Sequence, residues 1–132
     1  MKALPLGVTK GIITGTELVC ADNSGAKIVK VIGVRGYKGR KRRYPSAGIG
    51  DIILGSVIKG KPKVRKKIVK AVIVRQRMPY TRTDGTKIKF SDNACVLVDD
   101  DGIPKGSEIK GPIAKEVGIR YPKVAGAAST LI

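Results

Sequence analysis

The 132-residue chain carries 27 Lys+Arg against 10 Asp+Glu, a formal charge of +17, and no His. That length suits one compact domain, and a hydrophobic content of 42% is rich enough in Ile and Val to exclude a wholly disordered basic tail. Without His, the chain lacks the usual acid–base catalyst and the usual activator of a nucleophile.

The strand signals follow one another in chain order. Residues 16–20 (TELVC) precede a turn at Asp22-Asn23-Ser24-Gly25. Residues 27–35, 51–59, 68–75 and 94–98 complete the set. Each run is short, rich in Val and Ile, and bounded by Gly, Pro, Asn or Asp, as strands require. Ile28-Val29 and Val31-Ile32 are apolar at consecutive positions, which suits strands covered on both faces. A small closed barrel with further elements packed outside it satisfies that pattern.

Asp84-Gly85 marks a tight hairpin turn, with residues 87–90 as the returning arm. Asp99-Asp100-Asp101-Gly102 reads as a second turn. A calcium loop needs alternating ligands and a later Glu, which Ile103-Pro104-Lys105 do not supply. Helix is expected only near the end. Pro112 opens one short helix over 113–117, and Pro122 opens a second over 123–129. The division expected is a single domain over 1–132, with barrel and ribbon over about 16–98 and a C-terminal loop and short helices over about 99–132.

The positive charge is regional. Between Asn23 and Thr83 stand 18 Lys+Arg and one acid, Asp51, while the remaining residues balance at nine of each sign. Such a stretch repels itself unless a polyanion neutralises it. A surface kept soluble by charge, or one meeting anionic lipid, is the weaker alternative. The basic residues form three clusters between strands. The first is Arg35, Lys38, Arg40, Lys41, Arg42 and Arg43, and the second is Lys59, Lys61, Lys63, Arg65, Lys66, Lys67 and Lys70. The third is Arg75, Arg77, Arg82, Lys87 and Lys89 along the hairpin. On Gly-bearing loops these side chains can reach several phosphates, and Arg adds bidentate pairing and stacking. Tyr37, Tyr44 and Tyr80 lie in or beside the clusters, where they can stack on unpaired bases.

Catalytic and metal chemistry find little support. Cys20 and Cys95 form no CxxC pair and lie in apolar runs, as small buried hydrophobes do. Asp22, Asp51, Asp84 and Asp92 suggest a Mg2+-dependent nuclease, but each sits beside Gly or Asn or in a turn context, where capping explains it. The glycines of Gly48-Ile49-Gly50-Asp51 lead into a strand, unlike a phosphate-binding loop. No metal, cofactor or small-molecule substrate is expected. With no signal peptide or membrane-spanning run, the expected compartment is the cytosol. An architectural DNA-binding protein on the same kind of barrel shares the charge pattern and competes with an RNA-binding reading.

Ala71-Val72-Ile73-Val74, then nine residues to Asp84-Gly85, then Phe90, Asn93, Val96 and Leu97, resemble the signature of the universal large-subunit ribosomal protein fourteen family. Ala21-Asp22-Asn23-Ser24-Gly25-Ala26, Ala47-Gly48-Ile49-Gly50-Asp51 and Lys110-Gly111-Pro112-Ile113-Ala114-Lys115-Glu116 resemble further family blocks in the expected order. The longer segment before Thr16, Gly60-Lys61-Pro62 and Val74-Arg75-Gln76-Arg77 resemble the archaeal and eukaryotic branch, and the absence of a basic leader points to an archaeal-type member. Residues 1–15 match no family block residue by residue.

The resemblance implies a mainly β fold: a five-stranded SH3/OB-like barrel, a projecting β-ribbon and short C-terminal helices. It also implies binding to large-subunit rRNA through the loops of the three clusters, and an intersubunit bridge to small-subunit rRNA. The implied neighbours are ribosomal protein three, a twenty-four-e-type ribosomal protein and the anti-association initiation factor six. Phe90 and Asn93 are expected to fix structure rather than touch RNA.

Overall fold

The computed structural model describes residues 8–37, 39 and 41–132. Among them the strands are β1 (Ile12–Ile13), β2 (Glu17–Cys20), β3 (Ala26–Val34), β4 (Ser46–Ala47), β5 (Ile52–Gly60) and β6 (Ile68–Arg75). They continue with β7 (Tyr80–Thr81), β8 (Lys87–Ile88), β9 (Ala94–Val98) and β10 (Ile109–Ile113). Two helices, α1 (Lys115–Arg120) and α2 (Pro122–Ala127), precede β11 (Ala128–Leu131). No helix among the described residues is long and apolar enough to cross a membrane.

Five strands close a barrel in the order β2-β3-β5-β6-β9. Its seams are antiparallel except the last, where β2 and β9 run parallel with Val19 opposite Ala94 and Cys20 opposite Cys95. Leu18, Val29, Val57 and Ile53 are fully buried, and the intervening residues of β2, β3 and β5 face outward in the two-residue period of a strand. β9 is buried at every position and β6 from Ala71 onward. Those two strands are covered on both faces, as their unbroken apolar runs require. β10 and α1 pack against β6 and supply part of the cover.

The barrel interior is narrow beside Gly55. A Cβ there would lie 2.3 Å from Val29 Cγ1, so only glycine lets β3 and β5 approach as they do. Both cysteines are free and buried, and the hydrogen bond with the Cys20 thiol, followed by burial, holds the Cys95 thiol well above its ordinary pKa.

The segment before the barrel also has a structural role. Ile12 pairs with Ala47 in the β1–β4 ribbon and is fully buried, and the Thr9 carbonyl accepts a hydrogen bond of 2.8 Å from Gln76 Nε2. The expected hairpin forms between β7 and β8, with the amides of Arg82 and Gly85 closing its turn onto Thr86 and Arg82 carbonyls. The expected turn at Asp99 is closed by the Gly102 amide at 3.1 Å.

The C-terminal part departs from expectation. Pro112 does not open a helix: it lies inside β10, and α1 begins three residues later at Lys115. β10 pairs with β11 in parallel, setting Pro112 opposite Thr130 and Ile113 opposite Leu131. A proline is tolerated there because the pair is a short, bulged, two-stranded edge. The second helix does open at Pro122 but stops at Ala127, and Ser129 belongs to β11. Parallel pairing with a strand about twenty residues away decides this, and no local signal announces such a partner.

Candidate nucleic-acid interface

Three basic clusters in sequence become two basic ends in space. The loop 35–45 leaves β3 and returns through β4 to the start of β5, held by the Arg35 amide on the Ile52 carbonyl at 3.0 Å. The loop 61–67 joins the far end of β5 to β6. Nine residues of β5 separate them, about 26 Å at ~3.3 Å per residue. Val72 of β6 lies opposite Ile52, so β6 ends beside the start of β5. The β7–β8 ribbon, with Arg77 and Lys87, therefore leaves from the same end as loop 35–45.

The far-end loop is compact. Amides of Val64 and Arg65 bond the Lys61 carbonyl, Lys66 bonds back to Val57, and half-buried Val64 packs on the core. Lys66 takes a left-handed conformation with φ 65°. Lys59, Lys61, Lys63, Arg65, Lys66 and Lys67 are all exposed around this turn. A tight backbone with its charges turned outward is a suitable surface for phosphates.

At the other end Arg35, Lys41, Arg42 and Arg43 are exposed, with Arg42 left-handed at φ 67°. Lys38 and Arg40 lie outside the described residues. The three tyrosines separate here. Tyr44 is 74% exposed, Tyr37 is half-buried, and Tyr80 is buried, so only Tyr44 offers an open ring face beside these cations. Arg77 and Lys87 are exposed on the ribbon side, where Arg77 Nε bonds the Ser91 carbonyl at 3.0 Å.

Two expected RNA contacts have their guanidinium groups occupied within the chain. Arg75 is 8% exposed. Its Nε and Nη2 reach the two Asp92 oxygens at 2.9 and 3.3 Å, and Nη1 donates to the Lys110 and Pro112 carbonyls at 2.9 and 3.0 Å. The approach needs Gly111, whose φ is 79° and where a Cβ would lie 2.5 Å from Arg75 Nη1. Arg75 thus ties the barrel to β10. Arg82 donates from Nη2 and Nε to Glu116 Oε1 at 2.8 and 3.1 Å, and from Nη2 to the Ile132 carbonyl at 2.6 Å.

Arg82 belongs to a cluster that sequence reasoning missed. The Tyr80 hydroxyl donates to the buried Glu116 carboxylate at 2.9 Å, and the Arg82 guanidinium lies 5.9 Å from the Tyr80 ring centroid. Burial, and then the Glu116 charge, push the Tyr80 phenol up to about 12. The hydrogen bond to Glu116 raises Arg82 in turn. These partners stand 34 to 36 residues apart, and nothing local links them.

The four aspartates considered for metal binding are each engaged. Buried Asp22 accepts from the Leu97 amide, from the Ser24 amide and hydroxyl, and from the Cys20 thiol. Asp51 accepts from the Gly48 amide and pairs with Arg120 at 2.9 Å. Asp84 caps the ribbon turn through the Thr86 amide, which lowers its pKa, and Asp92 holds Arg75. Among the described residues no three His, Cys, Asp or Glu side chains are grouped to hold a metal ion. Asn93 serves structure as expected: its side-chain oxygen accepts the Arg77 amide and its carbonyl accepts Val19.

Comparison with known proteins agrees with this architecture. The family profile described as ribosomal protein L14p/L23e matches residues 11–132. Proteins named large ribosomal subunit protein uL14 align over the whole of both chains. The one from Haloarcula marismortui is 52% identical, that from Methanocella arvoryzae 51%, and that from Halobacterium salinarum 49%. A match of this extent carries a structural ribosomal role rather than an enzymatic one. The chain belongs to the ribosomal protein L14p/L23e family, as an archaeal-type member.

Proposed function

We propose that this protein is a structural constituent of the large subunit of the cytoplasmic ribosome, binding large-subunit rRNA through the loops at the two ends of its barrel. One observation carries the reading. The ion pairs among the described residues use Lys70, Arg75, Arg82 and Arg120, whereas the exposed cations of loops 41–43 and 59–67 take part in none of them. Those side chains are available to phosphates at both ends of β5. Binding energy comes mainly from such contacts, and RNA shape and an unpaired base at Tyr44 supply selectivity.

The charge-balanced part after Val98 suits contacts other than the main rRNA surface. By the family resemblance we infer a bridge to small-subunit rRNA, ribosomal protein three and a twenty-four-e-type ribosomal protein as neighbours, and docking of the anti-association initiation factor six. The balanced charge of this part, five Lys+Arg against five Asp+Glu, is compatible with protein contacts of this kind, because charged residues are depleted at the centres of protein interfaces.

The test is a salt titration of binding to a large-subunit rRNA fragment by the full chain and a Lys63→Ala, Arg65→Ala, Lys67→Ala variant. Affinity should fall, and the slope of log affinity against log salt should flatten by about 0.7–0.9 per lost phosphate contact. An unchanged slope removes the far-end loop from the interface. Duplex DNA outcompeting the rRNA fragment would favour the architectural DNA-binding reading instead.

A further inference from the structure

Residues 8–13 run as a strap across the end of the barrel from which loop 35–45 and the β7–β8 ribbon both leave. On one side the strap holds the return of the loop. Ile12 is fully buried and pairs with Ala47, and Ile13 pairs with Ser46. Gly48 admits the strap at close range, since a Cβ there would lie 3.0 Å from the Thr9 carbonyl oxygen and 3.4 Å from Lys10 Cα. On the other side it holds the root of the ribbon, the segment that joins β6 to β7. The amide nitrogen of fully buried Gln76 donates to the Thr9 carbonyl at 2.8 Å and to the Met78 carbonyl at 3.0 Å. Gly11 lies so close to this root that a Cβ would meet Met78 Cβ at 2.6 Å. One short segment therefore fixes the two basic arms of this end to each other.

Lys10 stands in the middle of that segment. It is exposed, and it takes part in none of the ion pairs among the described residues. In sequence it lies outside the basic stretch 23–83, and only the fold returns it to the exposed cations of that stretch. We infer that Lys10 is a further phosphate contact to rRNA, set by the strap between loop 35–45 and the ribbon. Its backbone is anchored on both sides, by Gly48 and β4 on one and by Gln76 and Met78 on the other. A cation on an anchored backbone loses less freedom on binding than one on a loose tail. Lysine suits the task because a compact ammonium meets a phosphate as a point charge and needs no particular orientation. The inference rests on the rRNA-binding reading of this end, and adds to it a residue and the element that places it.

The experiment is a salt titration of full-chain variants against a large-subunit rRNA fragment, after urea unfolding has checked that each variant folds. Lys10→Ala should flatten the slope of log affinity against log salt by about 0.7–0.9, so that its deficit against the parent shrinks about threefold between about 50 and 200 mM salt. Lys10→Arg should keep the parent slope. Lys115→Ala removes the same charge from an exposed position on α1 and should also keep it. Gly11→Val retains every cation but drives the strap off Met78, and should flatten the slope as Lys10→Ala does. Adding Lys10→Ala to it should then change little, because both act through one contact. A parent-like slope for Lys10→Ala, or an equal loss from Lys115→Ala, would overturn the inference. A parent-like slope for a folded Gly11→Val protein would overturn the strap's part in it, and if that variant does not fold, Lys10→Ala still decides. A parent without salt-dependent binding defeats the rRNA reading and this inference together, whereas a salt-dependent parent with an unmoved Lys10→Ala slope defeats this inference alone.

Discussion

Arg82 and Glu116, 34 residues apart, meet at 2.8 Å beneath the β7–β8 ribbon, and their pair fastens α1 to the hairpin. Their side chains are 21% and 9% exposed, so neither charge is well solvated. The Tyr80 hydroxyl occupies the same carboxylate, and the Arg82 guanidinium reaches the Ile132 carbonyl as well. The ribbon, α1 and Ile132 are joined through one acid and one guanidinium.

Removing that acid should be costly. Glu116→Ala leaves Arg82 without its counter-charge and Tyr80 without its acceptor, and is expected to lose about 3–5 kcal/mol of stability. Glu116→Gln retains an acceptor for the phenol and should lose less. Urea unfolding of the free protein measures both, and a change below about 1 kcal/mol for Glu116→Ala would show that the cluster is not coupled to folding.

The same cluster sets an alkaline limit. The Tyr80 phenol titrates near 10 in the unfolded chain and at about 12 in the folded one. A raised folded pKa means that the unfolded state releases its proton first as pH rises. The stabilisation is thus complete below about pH 10 and is lost as pH rises towards 12. Tyr80→Phe should flatten stability across that window and also remove the last phenolate to appear in an ultraviolet titration. If both proteins show the same alkaline dependence, Tyr80 is not its source.

Arg75 and the far-end lysines should behave in opposite ways. Arg75→Ala strips Asp92 and two backbone carbonyls of their donor, and should cost about 3 kcal/mol or more. Arg75→Lys should recover only part of this, because an ammonium cannot reproduce a fork that reaches three acceptor groups. The Lys63→Ala, Arg65→Ala, Lys67→Ala protein should unfold within about 0.5 kcal/mol of the parent per site while binding RNA more weakly. Parallel unfolding and RNA-binding measurements check the pair. A stable Arg75→Ala protein with weakened RNA binding would return Arg75 to the interface.

Much of the barrel is legible in the sequence because its causes are local. Residues 68–75 and 94–98 are β-branched, apolar runs with turn residues at their ends, and they form β6 and β9 with those bounds. Asp84-Gly85 turns the ribbon because glycine takes φ 91° there without strain. Pro112 misleads for the opposite reason: its signal for a helix start is local, but a parallel strand from beyond α2 captures it.

The sequence by itself determined that this is a basic, Val- and Ile-rich strand protein, and its spaced motifs placed it in a ribosomal family. It also confined the positive charge to residues 23–83. Only the tertiary structure decided what each charge does. Arg75, Arg77 and Arg82 look alike along the chain, yet Arg77 is exposed while the other two are held by Asp92 and Glu116. The physical reason is that a cation's role depends on its desolvation and on the nearest carboxylate. Both are set by contacts across 17 and 34 residues, which no local pattern encodes. The same long-range register sends loops 35–45 and 61–67 to opposite ends of β5.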